Sequence, residues 1–176
     1  PPIGDGLYLW GFQLEQGSYP TSYIPTSGSA VTRVAETANG AGDASTFNDS
    51  EGVLMVEFTS LDNGIIEKVL SLSDGTINNN IYISYSASAN TIYLLTVSGG
   101  VTQSLLVLTV NQKDTNKIAI KWKLNDVSFW LNGFKKGTDT SASNAIGLNT
   151  LSFNYPNGDV PFYGKTKQIQ YFDSAL

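Results

Sequence analysis

Residues 116–137 read NKIAIKWKLNDVSFWLNGFKKG, and their alternation decides the fold. Ile118, Ile120, Trp122 and Leu124 fall on one side of an extended chain, with Ala119, Lys121 and Lys123 on the other. The Asn125-Asp126 pair is a tight turn. Beyond it Val127, Phe129 and Leu131 continue an apolar row, while Ser128, Trp130 and Asn132 take the opposite side. The apolar row is expected to face a core. That makes Trp122 structural and leaves Trp130 among polar neighbours. Asn132-Gly133 reads as the exit from the second strand. Residues 162–176, FYGKTKQIQYFDSAL, read as a last strand closing on Ala-Leu.

Working outward, strands at steady spacing are expected at 53–59, 65–73, 81–85, 91–97, 103–110, 117–124, 127–132, 148–154 and 167–172. Gly, Asn, Asp and Ser clusters separate them, and nothing shows a helical period over three turns. Short strands so spaced predict an all-β antiparallel sandwich. Before it, residues 7–14 (LYLWGFQL) alternate as a strand and GSYPTSYIPTSGSAVTR follows as a linker stiffened by Pro20 and Pro25. The expected division is therefore a strand and Pro/Ser/Thr arm over 1–43 and a sandwich over 44–176. The opening Pro1-Pro2 suggests a piece of a longer polypeptide.

Composition bounds the function. Only 14% of the 176 residues are charged, against about 25% in an average soluble domain. A surface built on Ser, Thr and Asn suits neutral hydrogen-bonding ligands. The net charge of −5 and the absence of a basic face argue against nucleic acid. No apolar run is long enough to span a bilayer, so no membrane insertion is expected. With no histidine and no cysteine, Ser-His-Asp and Cys-His catalysis, imidazole zinc sites and thiolate chemistry are all out of reach.

Residues 116–137 together with 162–176 resemble the closing half of the laminin-G/concanavalin-A-like jelly-roll family, a resemblance that extends over 44–176. It implies a recognition scaffold. Glycosidase members of that superfamily carry a strand of alternating acids, E-x-D-x-x-E in kind, and this chain has none. Lyase members rely on a histidine-bearing strand, which is also missing. Separately, WGFQLEQGSYPTSYIPTSGSAVTR resembles a junction between modules of bacteriophage virion and tail-fibre proteins. It implies the end of an upstream module and a linker; the plainer reading is an arm docked on this domain.

Carboxylates remain as candidate chemistry. Glu57 and Glu67 each stand alone in their strands and serve as a catalytic pair only if adjacent strands bring them together. Many relatives hold calcium at a rim loop, and two clusters offer oxygens: Asn48, Asp49, Ser50 and Glu51, and Asp74 with Asn78, Asn79 and Asn80. Neither has the spacing of an EF-hand, and both suit ordinary turns. No cofactor is therefore expected, with calcium as the alternative.

Aromatic side chains are the best signal for a ligand, since sugar rings stack on them. Trp130 has Ser128 and Asn132 beside it; in NNIYISY, Tyr82 alternates away from Ile81, Ile83 and Tyr85 and lies with Asn80 and Ser84. Trp130, Tyr82, Asn80 and Asn132 are the candidate glycan-binding residues, provided their strands share one sheet. Trp130 under a covering loop is the competing reading. Trp10 lies in the arm, where packing is its expected role. The expectation is a non-catalytic, lectin-like domain for a polysaccharide or cell-surface glycan, in a virion fibre or otherwise extracellular, where a homo-oligomer would fit. The alternatives are a structural spacer of a virion, or a bacterial carbohydrate-binding module attached to a polysaccharide-degrading enzyme.

Overall fold

The computed structural model describes residues 9–14, 22–32 and 41–175. The chain divides into two compact units, Pro1–Glu36 and Thr37–Leu176. In the first unit, Leu9 to Leu14 form no strand, in contrast to the expected one; Leu7 and Tyr8 lie outside the described residues. Trp10 meets Tyr23 edge to face at 5.5 Å, and the Ile24 N–H donates to Gln13 Oε1 at 2.8 Å.

The second unit is a sandwich of ten strands: β1 Glu51–Ser60, β2 Lys68–Ser73, β3 Asn80–Tyr85, β4 Thr91–Ser98, β5 Val101–Thr109, β6 Asn116–Lys123, β7 Val127–Leu131, β8 Phe134–Asp139, β9 Thr150–Ser152 and β10 Gly164–Phe172. One five-stranded sheet runs β10-β1-β6-β7-β8, the other β5-β4-β3-β2-β9. Every pairing is antiparallel. Ala41 already pairs with Leu151, a few residues ahead of position 44. No helix among the described residues is long and apolar enough to cross a membrane.

Alternation builds the core. Ile118, Ile120 and Trp122 of β6 and Val127, Phe129 and Leu131 of β7 face inward, as the pattern requires, against Ile81, Ile83 and Tyr85 of β3 and Ile92 and Leu94 of β4. Leu124 is the exception at 61% exposed, because the chain has left the sheet for the turn at Asn125, where φ is +57°.

Two expectations about strands change. β2 begins at Lys68, not at 65, because the Ile65 N–H donates to Asp62 Oδ1 and draws that segment into a loop. β8, FKKGTD, was not expected at all. Asn132 and Gly133, with φ of +52° and +85°, are no exit but a two-residue hairpin turn that returns the chain as an edge strand.

Carboxylates and phenols set the pH range over which this sandwich is stable. Asp43, Glu51, Glu57, Asp126 and Asp139 are held below their usual values chiefly by hydrogen bonds to neighbouring hydroxyl, amine or backbone donors. Tyr82 and Tyr85 are pushed up to about 12, mainly by burial. A depressed carboxylate contributes stability above its unfolded pKa and loses it as pH falls through the folded one. With no histidine to titrate in between, the unfolding midpoint is expected to be flat from about pH 5.5 to 9 and to drop below about pH 4. A thermal melt series across pH checks this; a step near pH 6.5 would contradict it.

Candidate functional site

The four candidate residues do not converge. Tyr82 and Asn80 stand on β3 and Trp130 on β7, in different sheets. Both aromatic rings point away from the core, so they occupy opposite outer faces, with a layer spacing of about 10 Å between the sheets themselves. Asn80 is fully buried; its Nδ2 donates to Ile77 O at 2.8 Å and holds the loop before β3. Asn132 is engaged in its turn, where Oδ1 accepts the Lys117 N–H at 2.8 Å. Both amides therefore have structural work to do.

The Tyr82 face is assembled by register. Ser152, Ser71, Tyr82, Leu95 and Leu105 form one row across all five strands of the sheet. Val69, Ser84, Tyr93 and Val107 form the next. Leu95 is buried, while Leu105 and Val107 are about half exposed. The segment after β9 folds over this face: Ser71 Oγ donates to Asn154 O at 2.7 Å, and Tyr155 meets Tyr82 edge to face at 5.4 Å. Ser84 Oγ donates to Glu67 Oε1 at 2.6 Å. Tyr93 lies one row from Tyr82, opposite Ser84; burial raises the Tyr82 phenol, and Tyr155, Glu67 and Tyr93 add to the shift. Tyr93 and Tyr155 went unselected in the sequence. Tyr93 alternates with Leu95 and Val97 as a core residue would, and Tyr155 lies in a loop that no period marks.

The opposite face differs. Gln170, Met55, Ala119, Trp130 and Lys135 form its central row. Lys135 Nζ sits 5.2 Å from the Trp130 ring centroid, so an amine already covers the indole. Lys117, Lys121, Lys123, Lys135, Lys136, Lys165 and Lys167 all lie on β6, β8 and β10, which gives this sheet seven of the chain's ten cationic residues. In contrast, the strands of the Tyr82 sheet hold a single charged residue, Lys68, and it is fully buried.

Glu57 and Glu67 do not pair. Glu57 is on β1, in the lysine-bearing sheet, and accepts from Lys167 Nζ at 2.7 Å and Gln168 Nε2 at 2.6 Å. Glu67 lies beside the other sheet, on Ser84. The carboxylates at the centre of the two loop clusters are also engaged, while Asn80 Oδ1 is buried without a partner. Asp49 accepts the N–H groups of Gly147 and Leu148, and Asp74 accepts from Thr76 and Asn79. No group of three or more acidic residues suited to a metal occurs among the described residues. A cleft of about 110 Å³ between the β5 and β8 edges, lined by Leu106, Phe129 and Asp139 among others, falls well short of the roughly 300 Å³ of an ordinary small-molecule pocket.

No protein-family model and no curated protein matches the sequence. The fold has clear counterparts among solved structures. The CBM40 module of the IT-sialidase of Ruminococcus gnavus is 17% identical over 81% of this chain and 92% of its own, with a TM-score of 0.59; it has also been solved bound to α2,3 sialyllactose. Domain 4 of an extracellular arabinanase from Geobacillus stearothermophilus, solved with arabinotriose, is 13% identical over 77% of this chain and 66% of its own, with a TM-score of 0.59. Sheep galectin-11 is 8% identical over 79% and 99%, with a TM-score of 0.51. The second unit is thus a concanavalin-A-like jelly roll, the fold of lectins and carbohydrate-binding modules.

Proposed function

We propose that this domain is a non-catalytic carbohydrate-binding module whose ligand lies across Tyr82, Tyr93 and Tyr155. The observation that carries this reading is the face itself: aromatic edges and faces, half-exposed Leu105 and Val107, and the phenol hydroxyls, on a sheet with no exposed charge on its strands. Sugar C–H faces stack on such rings while hydroxyls exchange hydrogen bonds with the rim. Trp130, the other candidate platform, has its indole covered by Lys135. Glu57 and Glu67, the carboxylate pair weighed from the sequence, lie apart and do not stand as a glycosidase pair would.

The solved neighbours favour a module that works beside a glycan-processing enzyme outside the cell over the virion fibre expected from residues 7–34. One is a module of a sialidase and another a domain of an extracellular arabinanase, and none described above is a phage protein. A catalytic domain encoded in the same reading frame is the expected companion; fibre repeats in its place would restore the virion reading.

A glycan array with titration of the hits tests the site. Tyr82→Ala and Tyr155→Ala are each expected to weaken binding tenfold or more, equivalent to about 1.4 kcal/mol. Trp130→Ala should stay within twofold, and chelation of divalent ions should change nothing. Loss with Trp130→Ala alone would move the site to the other sheet, and loss on chelation would move it to a rim loop. Failure of a folded protein to bind any glycan would favour a structural spacer.

A further inference from the structure

Resting on the carbohydrate reading, we infer that the Tyr82 face takes uncharged glycans and rejects those bearing carboxylate or sulfate groups. An acidic sugar leaves water only if a cation or a set of aimed donors replaces its hydration, and Arg and Lys are the usual partners. Among the described residues the strands of this sheet offer one cation, Lys68. Its side chain is fully buried, and its amine donates to Asp62 Oδ1 at 2.7 Å and Ile66 O at 2.8 Å. It faces the core end of the sheet opposite Tyr85, not the tyrosine platform.

The charge nearest the platform has the wrong sign. Glu67 bonds Ser84 and acts on the Tyr82 phenol, and Asp159 closes the turn that presents Tyr155, where the Tyr155 N–H donates to the Asp159 carbonyl. The lysines of β6, β8 and β10 belong to the other sheet. Two sheets about 10 Å apart, with side chains beyond each, place those amines more than one Debye length of about 8 Å from a ligand on the tyrosine side. Among the described residues, an acidic residue on the glycan would therefore meet carboxylates before any strand-borne cation; Lys113 stands in the loop that follows β5. The R. gnavus module, solved with the acidic ligand sialyllactose, shares the fold; on this reading the present chain differs from it in ligand class.

The test is titration of the whole chain with matched pairs, lactose against sialyllactose and neutral against glucuronic-acid-bearing xylo-oligosaccharides. Each acidic member is expected to bind at least tenfold more weakly than its neutral mate. Glu67→Gln should narrow that gap severalfold while leaving neutral binding within twofold. Leu105→Arg, at a half-exposed position in the Tyr82 row, should bring the acidic members to within threefold. Acidic binding that survives Tyr155→Ala and falls with Lys117→Ala lies on the lysine sheet and upholds rejection at the tyrosine face. Acidic members that bind as well as neutral ones and fall with Tyr155→Ala would overturn the inference while leaving carbohydrate binding intact. No binding by any member would instead sink the carbohydrate reading itself.

Discussion

Trp122→Ala is expected to lower the free energy of unfolding by about 3–5 kcal/mol, the range for emptying the site of a large buried aromatic. For a unit of this size that is a drop of roughly 10–15 °C in the melting midpoint. Trp122 is 1% exposed and joins three separate parts of the chain. Its indole N–H donates to Asn48 O at 3.1 Å, its ring stacks on Tyr171 with centroids 6.1 Å apart, and it fills the space above Gly52, where a Cβ would stand 2.5 Å from the indole. The Tyr171 hydroxyl in turn accepts the Asn48 N–H at 2.6 Å. The substitution therefore loosens the lead-in to β1 and the final strand together. Trp130→Ala, on the solvent side of the same sheet, should cost less than about 1 kcal/mol. Thermal or urea unfolding of the two variants checks the contrast, and a Trp122→Ala midpoint within 3 °C of the parent would refute it.

That contrast was legible in the sequence, because a strand has a period of two and parity alone separates Trp122 from Trp130. The same parity set Tyr82 apart from Ile81 and Ile83. Strand β8 was not legible. Edge strands are kept from pairing with other chains by charge and shortness, so Lys135 and Lys136 remove the apolar alternation by which an inner strand is read. Only the Asn132-Gly133 pair announced the hairpin, and it fits a strand's end as well as a turn's centre.

The site was half legible for a related reason. Alternation tells which side of a strand a residue occupies; it does not tell which sheet the strand joins. β3 and β7 present aromatic rings to solvent in the same local pattern, yet the strand order puts them in different layers. The order β10-β1-β6-β7-β8 joins the first and last strands through contacts more than a hundred residues apart, of which Lys167 on Glu57 is one. No local signal encodes such a pairing. Tyr155 is a second case. Its place against Tyr82 depends on Ser71 bonding Asn154 O, a contact that spans 83 positions.

Lys68→Met is expected to cost about 3 kcal/mol, more than its volume-conserving shape would suggest, because breaking a buried pair leaves the partner's charge uncompensated. Lys68 is fully buried, and Asp62, its partner, is 23% exposed. Burial raises the Asp62 carboxyl, but the Lys68 amine and the N–H groups of Ile65 and Gly64 outweigh it and hold the group below the usual carboxylate range. Without the amine, burial is opposed only by those N–H groups. A carboxylate with a depressed folded pKa contributes its stability above the unfolded value and loses it as pH falls through the folded one. The deficit of Lys68→Met should thus be full at pH 7 and shrink below about pH 4, where Asp62 takes up a proton in parent and variant alike. Asp62→Asn in the Lys68→Met background keeps an acceptor for the Ile65 N–H and removes the stranded charge, so the double variant should regain at least half of the loss. A double-mutant cycle by urea unfolding at pH 7 and pH 4 measures the coupling. Additive effects of the two substitutions, or a deficit that does not change with pH, would show that Lys68 serves only as a hydrocarbon filler at the end of the core.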